Sequence, residues 1–227
     1  MRVLAIDIGG TNVKVLASGQ EEPRKFPSGR KLTPGAMVAG VRKLTEDWSY
    51  DAIAIGYPGR VVGGAIVVEP HNLAKGWIGF DFKSAFDSPV HIINDAAMQA
   101  LGGYQSGLLL FLGLGTGLGA ALVADGVVVP MELAHLPYKH GTWEEYLGVR
   151  ALQKRGRKKW EQHVHTAVAH LQDAFAPDDI VLGGGNAKKL KQLPKGCRLG
   201  TNANAFAGAF RLFAASPASR RTAKGSR

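Results

Sequence analysis

Asp7-Ile8-Gly9-Gly10-Thr11 and Gly113-Leu114-Gly115-Thr116-Gly117 are two Gly/Thr turns of the same kind, more than a hundred residues apart. Val3-Leu4-Ala5-Ile6 leads into the first and Val13-Lys14-Val15-Leu16 leads out; Leu108 to Leu112 and Ala120 to Val123 frame the second. Apolar runs around a glycine turn read as hairpins whose glycines permit positive φ and close ligand approach. Each turn also offers backbone N–H groups and a threonine hydroxyl to a phosphate oxygen. The pair therefore reads as a duplicated phosphate clasp, the alternative being two ordinary tight hairpins. Asp7 weighs against that alternative. A carboxylate closing an apolar strand is costly to bury unless it is paired or near a metal, and Mg²⁺ with phosphates meets that need. A dinucleotide fingerprint could use Gly115, Gly117 and Ala120, but no helix follows and Asp125 is too near to reach a ribose.

The 227-residue chain is 45% hydrophobic, enough for one large or two small globular domains. Its single cysteine, Cys197, excludes an internal disulfide and any multi-cysteine zinc site. Together with the lack of a signal-peptide pattern or an apolar run of membrane-spanning length, this makes the cytoplasm the expected location, with no membrane partner expected. The net charge of +10 implies affinity for polyanions. Arg150, Lys154, Arg155, Arg157, Lys158 and Lys159 cluster without an acid, as do Arg211, Arg220, Arg221, Lys224 and Arg227. A solvated helix face and a frayed tail account for them as readily as an anionic partner. Nucleic acid is disfavoured because aromatics are not interleaved and no helix-turn-helix or zinc-finger pattern occurs.

Residues 2–26 read as three strands. Thr33 caps a helix with Pro34 in its first turn and Met37, Val41, Leu44 and Trp48 at helical spacing. Ala52-Ile53-Ala54-Ile55 and Val90-His91-Ile92-Ile93 are short strands, the second ending at Asn94-Asp95, where a helix opens that Gly102-Gly103 terminates. From Gly107 the plan repeats: strand, Gly/Thr turn, strand, a third strand over 127–129, and helix from about Thr142 to Phe175. Ile180-Val181-Leu182 then enters Gly183-Gly184-Gly185, and residues 203–215 form an apolar helix. The expected organisation is an α/β chain with an N-terminal lobe over 1–105, a C-terminal lobe over 106–215 and a basic disordered tail over 216–227.

In order along the chain, Leu4 to Lys14, Gly56-Tyr57-Pro58-Gly59, Asn94-Asp95-Ala96, Gly113 to Gly117 and Val181 to Gly185 resemble the ROK sugar kinases. Gly59 to Gly64, Asn72 to Gly79 and Gly184 to Lys189 look most like the polyphosphate glucokinase branch of that family. The resemblance implies two ribonuclease-H-like lobes of the actin-like ATPase fold around a central cleft. It implies a hexose kinase, glucokinase foremost, that transfers a phosphoryl group from polyphosphate or ATP to the sugar 6-hydroxyl.

By the same resemblance Asp95 is the general base, and Asn72, Asn94, Glu132, His135 and Glu144 are sugar ligands. Gly9, Gly10, Thr11, Gly115, Thr116 and Gly117 hold phosphate, Gly183 and Gly184 contact the donor nucleotide, and Asp7 holds Mg²⁺ through water. A carboxylate beside the reacting hydroxyl can take its proton while N–H donors and Mg²⁺ spread the phosphate charge. Asp95 could instead only cap its helix. Glu132 and His135 stand one turn apart, so both can aim the same way. The chain departs from the family where Pro137-Tyr138-Lys139-His140-Gly141 replaces a cysteine-rich zinc motif, so zinc is not expected, and where Ala134 replaces a glycine. A homodimer through Phe206, Phe210 and Phe213 and packing of these rings on their own domain are equally open. The alternative function is a sugar-binding regulator or inactive binding protein, or a kinase for mannose, fructose or an amino sugar.

Overall fold

The first Gly/Thr turn joins β1 (Val3–Ile8) to β2 (Asn12–Ala17), an antiparallel hairpin in which Ile6 faces Val15 and Asp7 faces Lys14. The computed structural model describes residues 1–201 and 203–214. Every residue of β1 is buried, whereas β2 alternates. This is the pattern of a central strand covered on both faces beside one covered on a single face. β3 (Arg24–Pro27) extends the meander.

α1 (Pro34–Leu44) starts as expected: the Thr33 hydroxyl accepts from the Ala36 N–H at 3.2 Å and Pro34 occupies the first turn. It ends at Leu44, so Trp48 lies beyond the helix, where it is buried under the Arg24 guanidinium 4.2 Å from its ring. β4 (Ala52–Tyr57) pairs in parallel with β1. A small hairpin, β5 (Val61–Val62) and β6 (Ala65–Ile66), turns on Gly63 and Gly64, both at positive φ, which glycine alone adopts without strain. α2 (Phe82–Phe86) and β7 (Val90–Asn94) complete a five-stranded sheet of order β3-β2-β1-β4-β7. Its core gathers Leu4, Ile6, Val13, Met37, Ile53, Tyr57, Trp77 and Phe82.

α3 (Asp95–Gly103) opens at Asp95 and ends at the expected glycines. β8 (Leu108–Leu114), β9 (Leu118–Ala124) and β10 (Val127–Met131) form a second meander around the second Gly/Thr turn. After a 3-10 turn over Leu133–His135 come the short strands β11 (Pro137–Tyr138) and β12 (Gly141–Thr142), then α4 (Trp143–Leu147) and α5 (Val149–Phe175). The single helix expected from Thr142 to Phe175 is thus divided. Gly148 separates α4 from α5, and Gly156 at φ 75°, ψ 159° breaks α5 within the basic cluster. β13 (Asp179–Gly183), parallel to β8, and β14 (Cys197–Leu199) close a second five-stranded sheet of order β10-β9-β8-β13-β14. In both sheets a three-stranded antiparallel meander is followed by a strand parallel to its first strand and then by one edge strand, so the duplication read from the turns extends to the sheet order. α6 (Ala203–Ala214) follows.

The described residues form two compact units, one of Met1–Ile93 with residues 206–214, the other within Asn94–Ala205. The expected boundary near residue 105 lies after α3, whereas the units part ahead of it, because α3 packs on β8, β9 and β10. Phe206 is buried and Phe213 stacks on His91 with centroids 4.9 Å apart, so these rings face their own chain. The expected tail over 216–227 lies outside the described residues. Among the described residues no helix is long and apolar enough to cross a membrane.

Candidate active site

Asp7 is 8% exposed at the end of β1, with the Lys14 ammonium 3.7 Å away on the facing strand. Burial pushes its carboxyl above the ordinary value, and Lys14 pulls it back. Lys14 thus offsets part of the cost of burying this carboxylate. In the turn itself the Gly9 N–H donates to Asn12 O at 3.0 Å. Ser28, just past β3, ties the turn down: its hydroxyl donates to Gly9 O at 2.6 Å and its N–H to Thr11 O at 2.9 Å. Gly10 and Thr11 are left exposed at the tip.

The second turn is held in a parallel way. Asn186, 7% exposed, donates its N–H to Leu114 O at 2.9 Å and its side-chain Nδ2 to Gly115 O at 2.9 Å. The Val149 N–H, at the start of α5, donates to Thr116 O at 3.2 Å. The Gly115 N–H is engaged within the turn, with Gly113 O and Gly117 O both at 3.1 Å.

Gly9, Gly10, Gly115 and Gly117 do not take positive φ, contrary to the reading of the turns. What glycine supplies is room. A Cβ at Gly9 would stand 3.1 Å from Asn12 O, one at Gly117 would overlap the Glu144 carboxylate, and one at Gly115 would enter open space. Gly184 is left-handed at φ +78°, and a Cβ there would lie 2.5 Å from Leu114 O. A Cβ at Gly183 would overlap the Phe111 ring, while Gly185 faces open space.

Asp95 occupies the first turn of α3, where the helix dipole favours a carboxylate. Its Oδ1 accepts from the Ala96 N–H at 2.8 Å. The cap itself is Asn94, whose side-chain oxygen accepts from the Ala97 N–H at 3.0 Å. Asn94 thus holds the cap position, and Asp95 satisfies one further N–H of the first turn. A Cβ on Gly119 would stand only 2.8 Å from the Ala96 Cβ. Glycine at that point lets α3 settle onto β9 two residues beyond the second Gly/Thr turn.

Glu132 and His135 lie at the two ends of one 3-10 turn, Oε2 to Nε2 3.9 Å, with side chains 52% and 73% exposed. Glu144, in the first turn of α4, sets its carboxylate against Gly117. Asp95, the second Gly/Thr turn, Asn186, Glu132, His135 and Glu144 thus all belong to the second unit. Asp7, the first turn and Asn72 belong to the other; Asn72 is half-buried in the loop between β6 and α2. That loop is organised by Glu69, whose carboxylate accepts from the N–H groups of Gly76, Trp77 and Ile78 at 3.1–3.4 Å.

A magnesium ion held mainly by water and phosphate oxygens needs only one or two protein carboxylates. A single carboxylate beside the first turn, at Asp7, fits that donor set. Among the described residues no three His, Cys, Asp or Glu side chains gather in a metal-holding group.

The residues that sequence reasoning missed are Lys14, Ser28, Glu69 and Asn186. Lys14 was readable in part, since Asp7 and Lys14 face each other as soon as the hairpin register is drawn. The other three act through loop contacts that carry no periodic signal.

The sequence model of the ROK family matches residues 3–130. This chain belongs to the ROK family. Over 210 residues it is 27% identical to a polyphosphate glucokinase of Mycobacterium leprae (strain TN), a match covering 83% of this chain and 64% of that protein's length. An inorganic polyphosphate/ATP-glucomannokinase from Arthrobacter sp. strain KM superposes with a TM-score of 0.81 at 24% identity, covering 94% of this chain and 98% of the other. A ROK family glucokinase from Streptomyces griseus, solved with glucose and AMPPNP, gives 0.75 at 16% identity, covering 93% and 99%. These likenesses establish the mixed α/β, actin-like ATPase fold of the ROK sugar kinases.

Proposed function

We propose that this ROK protein is a hexose kinase, with glucose as the foremost substrate, that transfers a terminal phosphoryl group from polyphosphate or ATP to the sugar 6-hydroxyl. The observation that carries this reading is the gathering in one unit of Asp95 on α3, the anchored Gly115–Gly117 turn and the Glu144 carboxylate against Gly117. The 27% identity to a polyphosphate glucokinase supports the same class of reaction.

In this reading Asp95 accepts the proton of the 6-hydroxyl as that oxygen attacks the terminal phosphorus. The new P–O bond forms while the bond to the donor's bridging oxygen breaks, and the shortened donor leaves with that electron pair. General-base assistance of this type is worth about 10²–10⁴ in rate. Glu132, His135, Glu144, Asn94 and Asn72 orient the sugar by accepting from or donating to its hydroxyls. Hydrogen-bonding partners of this kind discriminate against sugars that leave one unpaired.

The amides of Gly10, Thr11, Thr116 and Gly117, with the two threonine hydroxyls, are the donors toward phosphate, since Gly9 and Gly115 spend their N–H groups within the turns. Asp7 would hold Mg²⁺ through water, and the ion when bound neutralises phosphate charge and orients the donor. Gly183 and Gly184 would lie beside the nucleotide when ATP serves as donor.

The test is formation of glucose 6-phosphate from glucose, Mg²⁺ and either donor. A panel of mannose, fructose and amino sugars ranks the acceptor. Sugar binding with no turnover on any donor would reject the kinase reading in favour of a sugar-binding regulator.

A further inference from the structure

A groove of about 390 Å³ lies beside the first Gly/Thr turn, lined by Pro27, Ser28, Gly29, Arg30, Lys31 and Leu32, with Ala36 of α1. No carboxylate lines it, and two consecutive cations do. Arg30 and Lys31 are exposed, and neither forms an ion pair among the described residues.

The groove is joined to the turn through Ser28, which lines it and also donates to both Gly9 O and Thr11 O. A second feature points the same way. Asp7, Lys14 and Lys25 are in register across β1, β2 and β3, and Lys25 shares its strand face with Pro27, which enters the groove. Lys14 is paired with Asp7, so it is Lys25 that adds a cation on the strand face leading through Pro27 toward Arg30 and Lys31.

We propose that this groove is a subsite for a linear polyphosphate, holding phosphates distal to the one seated at the Gly9–Thr11 turn. The inference rests on the kinase reading for the reaction it serves, but the binding itself does not. A string of closely spaced anions matches an open, acid-free channel lined by unpaired cations. A nucleotide, whose phosphates end in a ribose and a flat base, gains nothing from such a channel. The attraction is exposed to solvent and should weaken with salt.

The experiment compares wild type with the Arg30→Ala/Lys31→Ala double variant, using long-chain polyphosphate and tripolyphosphate as probes. Equilibrium binding is measured without sugar at several salt concentrations, and KM is measured with glucose. The expected result is about a tenfold loss of affinity for the long chain, with a shallower salt dependence, as expected when cations leave a polyanion site. Tripolyphosphate affinity, glucose affinity and the unfolding midpoint should change less than about twofold or stay put. Equal long-chain affinity and KM in variant and wild type would overturn the subsite while leaving the kinase reading standing. Long-chain binding that depends on Arg30 and Lys31, in a protein that phosphorylates no sugar, would support the subsite and overturn the kinase reading instead. Equal losses for the long and short chains would overturn the distal placement.

Discussion

Asn186 holds Gly115: the side-chain Nδ2 reaches the Gly115 carbonyl at 2.9 Å while the Asn186 backbone N–H holds Leu114 O at the same distance. The loop after β13 and the second phosphate turn are thereby one hydrogen-bonded piece. Asn186→Ala leaves Gly115 O without this partner and should cost about 1–3 kcal/mol of stability. Because the turn is the element released, KM for the donor should rise more than glucose affinity falls. Urea unfolding and donor titrations check the two parts separately.

Gly117→Ala addresses the contact with Glu144. Gly117 needs no left-handed backbone, and the new methyl meets only the end of a flexible, exposed side chain. Stability should change by under about 1 kcal/mol, while displacement of Glu144 raises KM for glucose. Gly184→Ala is the contrasting case: positive φ and overlap with Leu114 backbone atoms should cost about 3 kcal/mol or more. Thermal unfolding of the two variants side by side distinguishes them.

His163 on α5 sits against Tyr138, whose hydroxyl is 3.1 Å from Nδ1, and against Tyr146 at 4.9 Å between centroids. Burial, then the Lys139 and Arg155 cations, holds its pKa below the usual value of 6.5. The folded state favours neutral imidazole, so the unfolded chain takes up the proton first as pH falls. The stabilisation is therefore present above about pH 6.5 and lost as pH drops through the folded value. The wild-type unfolding midpoint should decline more steeply below pH 6.5 than that of His163→Gln.

Cys197 in β14 should react slowly with alkylating reagents. Burial, with Asp179 adding to it, pushes its thiol up to about 11, so little thiolate exists near neutrality. Iodoacetamide labelling at pH 8 is expected to be slow in the folded protein and to speed up in denaturant.

Much of this architecture was legible locally. The two hairpins follow from glycine and threonine between apolar runs, and α1 from Thr33-Pro34 and its spaced apolar residues. The opening of α3 at Asp95 was likewise visible, although the cap fell to Asn94, because an Asn–Asp pair presents two capping side chains and only backbone geometry chooses between them. The break at Gly156 was hidden by helical spacing that continues through it. Ser28 and Asn186 were hidden for another reason: Asn186 meets Gly115 across 71 positions of sequence, and no periodicity records such a contact. Among the candidate site residues, the spacing of Glu132 and His135 foretold their shared turn. Glu144 against Gly117 could be seen only once α4 had been placed.

Glucose 6-phosphate formation by wild type and Asp95→Asn, each with Mg²⁺ and with ATP or polyphosphate, tests the central claim most directly. The account predicts wild-type turnover, a loss of about 10²–10⁴ in kcat for the variant and near-equal glucose affinity in both. Undiminished turnover by Asp95→Asn would contradict the assignment of the base, and a wild-type protein that binds glucose but transfers phosphate from neither donor would contradict the kinase itself.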